Sequence, residues 1–213
     1  MWYTVGLIAT DGNLSKDGRH TNITSKDEEF LEGVKKILGL NVKLTKKTRT
    51  SEKNKKYSFL QIGDVKFYKF LLEIGLTPKK SLTLGELRIP EIYFKDFFRG
   101  VIDGDGSIST WIHNSNGNIQ WSSRVVSGSK KFIYWLQEKS ENSFNIKGKV
   151  HIAKKIETNP LYVLKFGKFA TKNLLNQCYY KQCFALRRKY LLAEKCLNAE
   201  DKLSKYGIHA RVV

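Results

Sequence analysis

The sequence predicts an α+β protein built as a duplicated αββαββα unit. Three observations carry that reading: a motif written twice, matching flanks after each copy, and strands that alternate apolar with cationic or polar residues. The motif stands first as VGLIATDGNLS, residues 5–15, and again as RGVIDGDGSIS, residues 99–109. Gly6 falls on Gly100, Leu7-Ile8 on Val101-Ile102, Asp11 on Asp105, Gly12 on Gly106 and Ser15 on Ser109, at a constant offset of 94 residues. Self-similarity of this kind organises a chain before any other signal. It divides this one into an N-terminal half, 1–90, and a C-terminal half, 91–213, expected to face each other about a pseudo-twofold axis as two protomers would.

The elements follow in order. Each motif opens with an apolar helix that ends near its final aspartate. In the first half SKDGRH supplies a turn with Asp17-Gly18, TNITS a short strand, and KDEEFLEGVKKILGL an amphipathic helix with Phe30, Leu31, Val34, Ile37 and Leu38 on one side. A second hairpin runs from about Val42 to Ile62 around KKTRTSEKNKK, and KFYKFLLEIGL and TPKKSLTL close the half. The second half repeats the scheme: HNSNGN is the turn, IQWSSRVVS the strand and KKFIYWLQEKSENSF the helix. A hairpin from about Ile146 to Phe166 around ETNP follows, then KFATKNLLNQCYY and FALRRKYLLAEKCL. Each half therefore contributes one antiparallel sheet.

Composition narrows the partners. The 213 residues are 41% hydrophobic, enough for a substantial core, while 38 Lys and Arg against 20 Asp and Glu leave a formal net charge of +18. So basic a chain is matched by a polyanion, nucleic acid before an anionic membrane. No apolar run approaches the roughly 20 residues of a spanning helix and no signal peptide is legible, so an intracellular location is expected, in cytoplasm or organelle. Cys178, Cys183 and Cys196 are odd in number and form no C-x-x-C pair, which argues for reduced thiols rather than a disulfide framework or a zinc site.

The carboxylates call for a cation. Asp11 and Asp105 follow apolar helices directly, at the end where the helix dipole is negative and an anion is disfavoured. Gly6 and Thr10, like Gly100 and Gly104, are four apart, so each motif helix has a small-residue stripe along which the two can meet at Gly6 and Gly100. If they meet, both aspartates and the last unpaired carbonyls lie side by side. That all-oxygen set suits two or more hard divalent ions shared between Asp11 and Asp105, Mg²⁺ first, with Mn²⁺ as a substitute. Next to a phosphodiester such ions support an in-line displacement by water. An EF-hand is excluded, because counting from Asp103 puts Ile108 and Asn114 where Gly and Glu belong. Asp103 has Ala9 as its counterpart, which leaves the symmetric role to Asp11 and Asp105.

Basic residues line up on the strands. Lys147, Lys149, His151 and Lys155 alternate with apolar residues in IKGKVHIAKKI, Lys43, Thr45, Lys47 and Arg49 share a face, and so do Gln120, Ser122 and Arg124. Such ribbons suit base edges in a major groove, Arg and Lys to guanine and Gln to adenine.

The paired signatures, with LTPKKSLTL…IPEIYFKDFFRGVIDGDGSI between them and LRRKY late in the chain, resemble the LAGLIDADG homing endonucleases in their single-chain, two-motif form. The resemblance covers essentially the whole sequence. It implies a monomeric, metal-dependent enzyme whose two β-sheet saddles lie in the major groove of a long, pseudo-palindromic DNA target. It would cut both strands across the minor groove to leave short 3′ extensions. It further implies Asp11 and Asp105 as metal-binding and catalytic acids, the carbonyls of Thr10 and Gly104 as auxiliary ligands, and Lys80 and Lys189 as the basic residues near the scissile phosphates. Lys16, Arg19 and Asn22 join the DNA-facing set. Ser25 and Ser127 fall at the variable polar position that ends the strand. Ala9 departs from the family pattern, and the first helix, starting only ten residues before Asp11, is expected to be short. The alternatives on the same fold are a maturase acting on intron RNA and a DNA-binding regulator. No membrane and no obligate protein partner are expected.

Overall fold

The computed structural model describes residues 1–49, 52–153 and 160–199, with the side chains of 47–49 and 52–56 outside the description. At its centre α1 (Trp2–Thr10) lies against α4 (Phe94–Asp103), more intimately than any other pair of helices. Glycine makes this possible. A Cβ on Gly100 would stand 2.1 Å from Tyr3 O and 3.0 Å from Gly6 Cα and Leu7 N; one on Gly6 would stand 2.1 Å from Phe97 O. These are backbone atoms that cannot swing aside, so Gly100→Ala is expected to lower unfolding free energy by about 2–3 kcal/mol despite the better helix propensity of alanine. Gly85→Ala, where nothing lies within 4 Å, serves as the control. Urea titration of both proteins checks the contrast, and equal midpoints would refute it.

Each half carries one four-stranded antiparallel sheet. The first, β1 (Gly12–Leu14), β2 (His20–Ser25), β3 (Thr45–Arg49) and β4 (Glu52–Gly63), has spatial order β1-β2-β4-β3. The second, β5 (Gly106–Ile112), β6 (Ile119–Ser127), β7 (Lys149–Ala153) and β8 (Leu161–Phe166), has order β5-β6-β8-β7. This is the duplicated α+β arrangement the repeat predicts. Helices α2 (Glu28–Ile37), α3 (Val65–Glu73), α5 (Lys130–Phe144), α6 (Lys168–Cys178) and α7 (Arg187–Leu197) complete it. Side-chain caps fix three starts: Asp27 accepts from Phe30 N, Asp64 from Lys66 N and Phe67 N, and Ser129 from Phe132 N. Ser25 and Ser127 occupy matching turns before α2 and α5, each accepting from the N–H two residues on. Phe30, Leu31 and Val34 of α2 are buried as the periodicity requires, whereas Ile37 is 42% exposed because the helix ends at the rim of the core.

The halves brace each other reciprocally. Phe184, in the chain between α6 and α7, crosses to the first half, where it packs on Gly33, stacks on Phe30 at 5.8 Å between centroids and meets Tyr3 edge-on at 5.4 Å. In return Leu82 of the first half packs against Gly128, and the Ser129 hydroxyl donates to Leu84 O. Arg99, 3% exposed, fastens the first of these straps through Cys178 O and Phe184 O while paired with Asp96 at 2.8 Å. All three cysteines are free thiols. No helix among the described residues is long and apolar enough to cross a membrane.

Candidate active site and nucleic-acid interface

Because α1 and α4 touch at their glycines, their C-terminal ends emerge together. Asp11 caps α1, and Asp105 lies two residues beyond α4. Thr10 packs its side chain where a Cβ on Gly104 would be, and that Cβ would stand 3.5 Å from Asp11 Oδ2. The first motif's carboxylate therefore reaches the end of the second motif's helix. Two lysines complete the cluster in equivalent places. Lys80 Nζ donates to Gly12 O at 2.5 Å, and Lys189 Nζ donates to Gly106 O at 2.8 Å, to Ile102 O at 2.5 Å, to Asp103 O at 2.8 Å and to Gly104 O at 3.1 Å. Each ammonium thus holds the carbonyl of the glycine that follows its motif's final aspartate, offsetting the negative helix end.

The four charges are coupled. Burial, and then the Asp11 charge, push Asp105 up to about 6, while Lys80 and Lys189 pull it back. Burial pulls Lys80 down to about 8, opposed by Asp105 and Asp11; it does the same to Lys189, opposed chiefly by Asp103. Two carboxylates that resist ionising together, beside backbone carbonyls, form a hard-oxygen donor set that fits a divalent cation. No cluster of three or more His, Cys, Asp or Glu exists among the described residues, so solvent and substrate oxygens would fill the remaining positions. Of the two carbonyls considered, Gly104 O is engaged by Lys189. Beside Asp11 a pocket of about 290 Å³ is lined by Lys26, Tyr57 and Arg188, three residues the sequence reading passed over. Lys26 stands over the Tyr57 ring at 5.5 Å, and Arg188 adjoins Lys189 in the LRRKY stretch. A roomier groove, about 650 Å³, lies between α2 and the Phe184 strap instead.

The sheets place the candidate DNA-facing residues by register. Ile23 and Leu60 are paired on the buried face, so Asn22 and its partner Gln61 lie on the other, as does Asn13 opposite Asn22. Lys16 and Arg19 are exposed in the β1–β2 turn, where Asp17 accepts from Arg19 N and His20 N, and His20 holds its carboxyl down at about 2. Thr45 stands opposite Phe59 and Lys47 opposite Tyr57; a register shift after Thr48 sets Arg49 opposite Glu52 at the hairpin end. In the second sheet Gln120, Ser122 and Arg124 share a face with Lys149 and His151. Two strand assignments are corrected: Lys43 precedes β3 and Lys147 precedes β7, where it pairs with Glu141 at 3.0 Å. Ser122 is on that face but only 2% exposed, between the longer Gln120 and Arg124. Lys155 lies outside the described residues. Asn13, Gln61 and Lys165 were missed, and only the register reveals them.

Residues 2–75 match the LAGLIDADG-like domain family. Solved structures extend the likeness over both halves. The homing endonuclease I-WcaI bound to its DNA recognition sequence is 12% identical, with TM-score 0.60 over 90% of this chain and 84% of its own. The chain has the duplicated LAGLIDADG fold. A mesophilic variant of the homing endonuclease I-DmoI is similar to this chain at 14% identity and TM-score 0.57, over 91% and 96% of the two chains. Full-length DUF199/WhiA from Thermatoga maritima matches at 12% identity and TM-score 0.57 over 92% of this chain, which spans only 58% of that protein's length. No protein of curated function matches the sequence. A LAGLIDADG fold thus occurs both in proteins named as homing endonucleases and in DUF199/WhiA. Fold alone leaves the activity to the residues.

Proposed function

We propose that the protein is a site-specific, divalent-metal-dependent endonuclease acting on double-stranded DNA. The observation that carries this reading is the pair Asp11 and Asp105, retained at adjoining helix ends and coupled to Lys80 and Lys189. A DNA-binding regulator can lose this pair of carboxylates, whereas a cutting enzyme needs both. Asp11 and Asp105 would hold Mg²⁺ or Mn²⁺, with the Thr10 carbonyl as an auxiliary donor; when bound, such ions supply charge stabilisation and an activated water at the phosphodiester. Lys80 and Lys189 fix the two motif turns and place positive charge beside the scissile phosphates. The outer faces of the sheets supply phosphate and base contacts, with Lys16, Arg19, Gln120, Arg124, Lys149 and His151 among them. One strand would be cut by each side of the pair, leaving short 3′ extensions.

The test is incubation of the protein with a randomised duplex library and Mg²⁺, with Ca²⁺ in parallel, and sequencing of the ends. Discrete double-strand breaks are expected, and Asp11→Asn or Asp105→Asn should abolish them while duplex binding stays within about threefold. Binding without cutting under Mg²⁺ and Mn²⁺ would refute the nuclease and favour the regulator, or, with intron RNA as ligand, the maturase.

A further inference from the structure

We infer that the two halves read different bases at the same distance from the pseudo-twofold axis, the N-terminal sheet preferring adenine and the C-terminal sheet guanine. The inference rests on the DNA-binding reading above and adds to it the chemistry of each half-site. Gly12 pairs with Ile23 and Gly106 with Val125, so the next residues out from the motif aspartates form equivalent rows. In the first sheet that row is Asn13, Asn22 and Gln61 across β1, β2 and β4. In the second it is Ser107, Arg124, Lys165 and Lys149 across β5, β6, β8 and β7. One fold position therefore carries carboxamides in one half and cations in the other.

The chemistry of the rows differs in kind. A carboxamide offers donor and acceptor together and matches the N6–H and N7 of adenine; guanidinium and ammonium only donate and match the O6 and N7 of guanine. Asn22 is half-buried and donates to Ser15 Oγ at 2.9 Å, so it acts as the post between Asn13 and Gln61, whose exposed amides reach outward. Arg124, Lys165 and Lys149 are exposed, stand directly opposite one another on neighbouring strands, and have no carboxylate partner among the described residues. Like charges paired across strands destabilise a sheet. Three in one row are a standing cost that a partner rich in acceptors relieves, and the equivalent row of the first half carries none of it. Lys43, which would extend the first row, lies ahead of its strand.

Selection of bound duplexes from a randomised library by the full chain, in Ca²⁺ to prevent cutting, tests this with three proteins. Wild type is expected to enrich a site whose halves differ, A·T on one side and G·C on the other at the same distance from the centre. The double variant Arg124→Gln, Lys165→Gln should lose guanine enrichment about tenfold in one half-site only, and Gln61→Lys should gain it in the other. Cooperative thermal melts with midpoints at or above that of wild type establish that the variants fold. A palindromic site, or a uniform loss of affinity with unchanged base preference and a shallower salt slope, would mean that the rows hold phosphates and would overturn the inference. Failure of wild type to enrich any sequence would instead remove the DNA-binding reading itself, and this inference with it.

Discussion

Asp105→Asn is expected to raise the melting temperature in metal-free buffer while abolishing strand cleavage, two effects of opposite sign from one carboxylate. Burial and the Asp11 charge hold Asp105 at about 6, against an ordinary value of 3.8. Below about pH 4 the group is neutral whether the chain is folded or not, and it costs nothing. As pH rises towards 6 the unfolded chain releases its proton first, so native stability falls, and above 6 the loss is complete. The residue surface is open to solvent, so screening reduces the cost to about 1 kcal/mol, or roughly 2–4 °C in a chain of this size. Asparagine removes it. The gain should therefore be full at pH 7, shrink between pH 6 and 4, and vanish below that. Mg²⁺ should then raise the melting temperature of wild type and leave the variant nearly unmoved, because a ligand stabilises only the form that binds it. Calorimetric scans in EDTA and in Mg²⁺ at pH 7 and pH 4 measure all of this. A variant less stable than wild type at pH 7 would show that Asp105 is a structural anion.

The same residues show what a sequence discloses and what it withholds. Helix α5 begins after Ser129 and ends at Phe144, as read, because its cap and its apolar spacing are local signals. The meeting of Gly6 with Gly100 was legible because small residues four apart recur in both copies. Lys165 was not. In LYVLKF it is one cation in an apolar run, and only pairing with Arg124 and Lys149 makes it part of a row. The Phe184 strap was equally hidden, since nothing near Phe184 or Gly33 signals that they touch. Lys43 and Lys147 were misplaced because alternation continues in the sequence past the point where the ladder stops.

Asp103 is the residue whose role the sequence could least reveal, for its partners stand 100, 83 and 76 positions away. Its carboxylate, 3% exposed, accepts from Tyr3 Oη at 2.7 Å and Leu186 N at 2.8 Å on one oxygen, and from Tyr179 Oη at 2.7 Å on the other. Burial raises its pKa, while those three donors and Lys189 oppose the rise. Burial and the Asp103 charge keep both tyrosines well above their ordinary range, so they remain donors. The knot ties α1 of one half to α4, to the end of α6 and to Leu186, the residue just before α7. Asp103→Ala strands three donors inside the protein and is expected to cost about 3–5 kcal/mol in urea unfolding. Asp103→Asn, which keeps one accepting oxygen, should cost less. A loss under 1 kcal/mol for alanine would mean that water replaces the carboxylate and that the knot fixes nothing. Ala9, the equivalent residue of the first half, is 5% exposed, so Ala9→Asp would bury a carboxylate without this set of donors and should destabilise rather than complete the symmetry. Lys189 is in the first turn of α7 and takes its place at the motif carbonyls from that helix. The acid that is absent from the first motif is therefore, in the second, what holds the basic residue at the site.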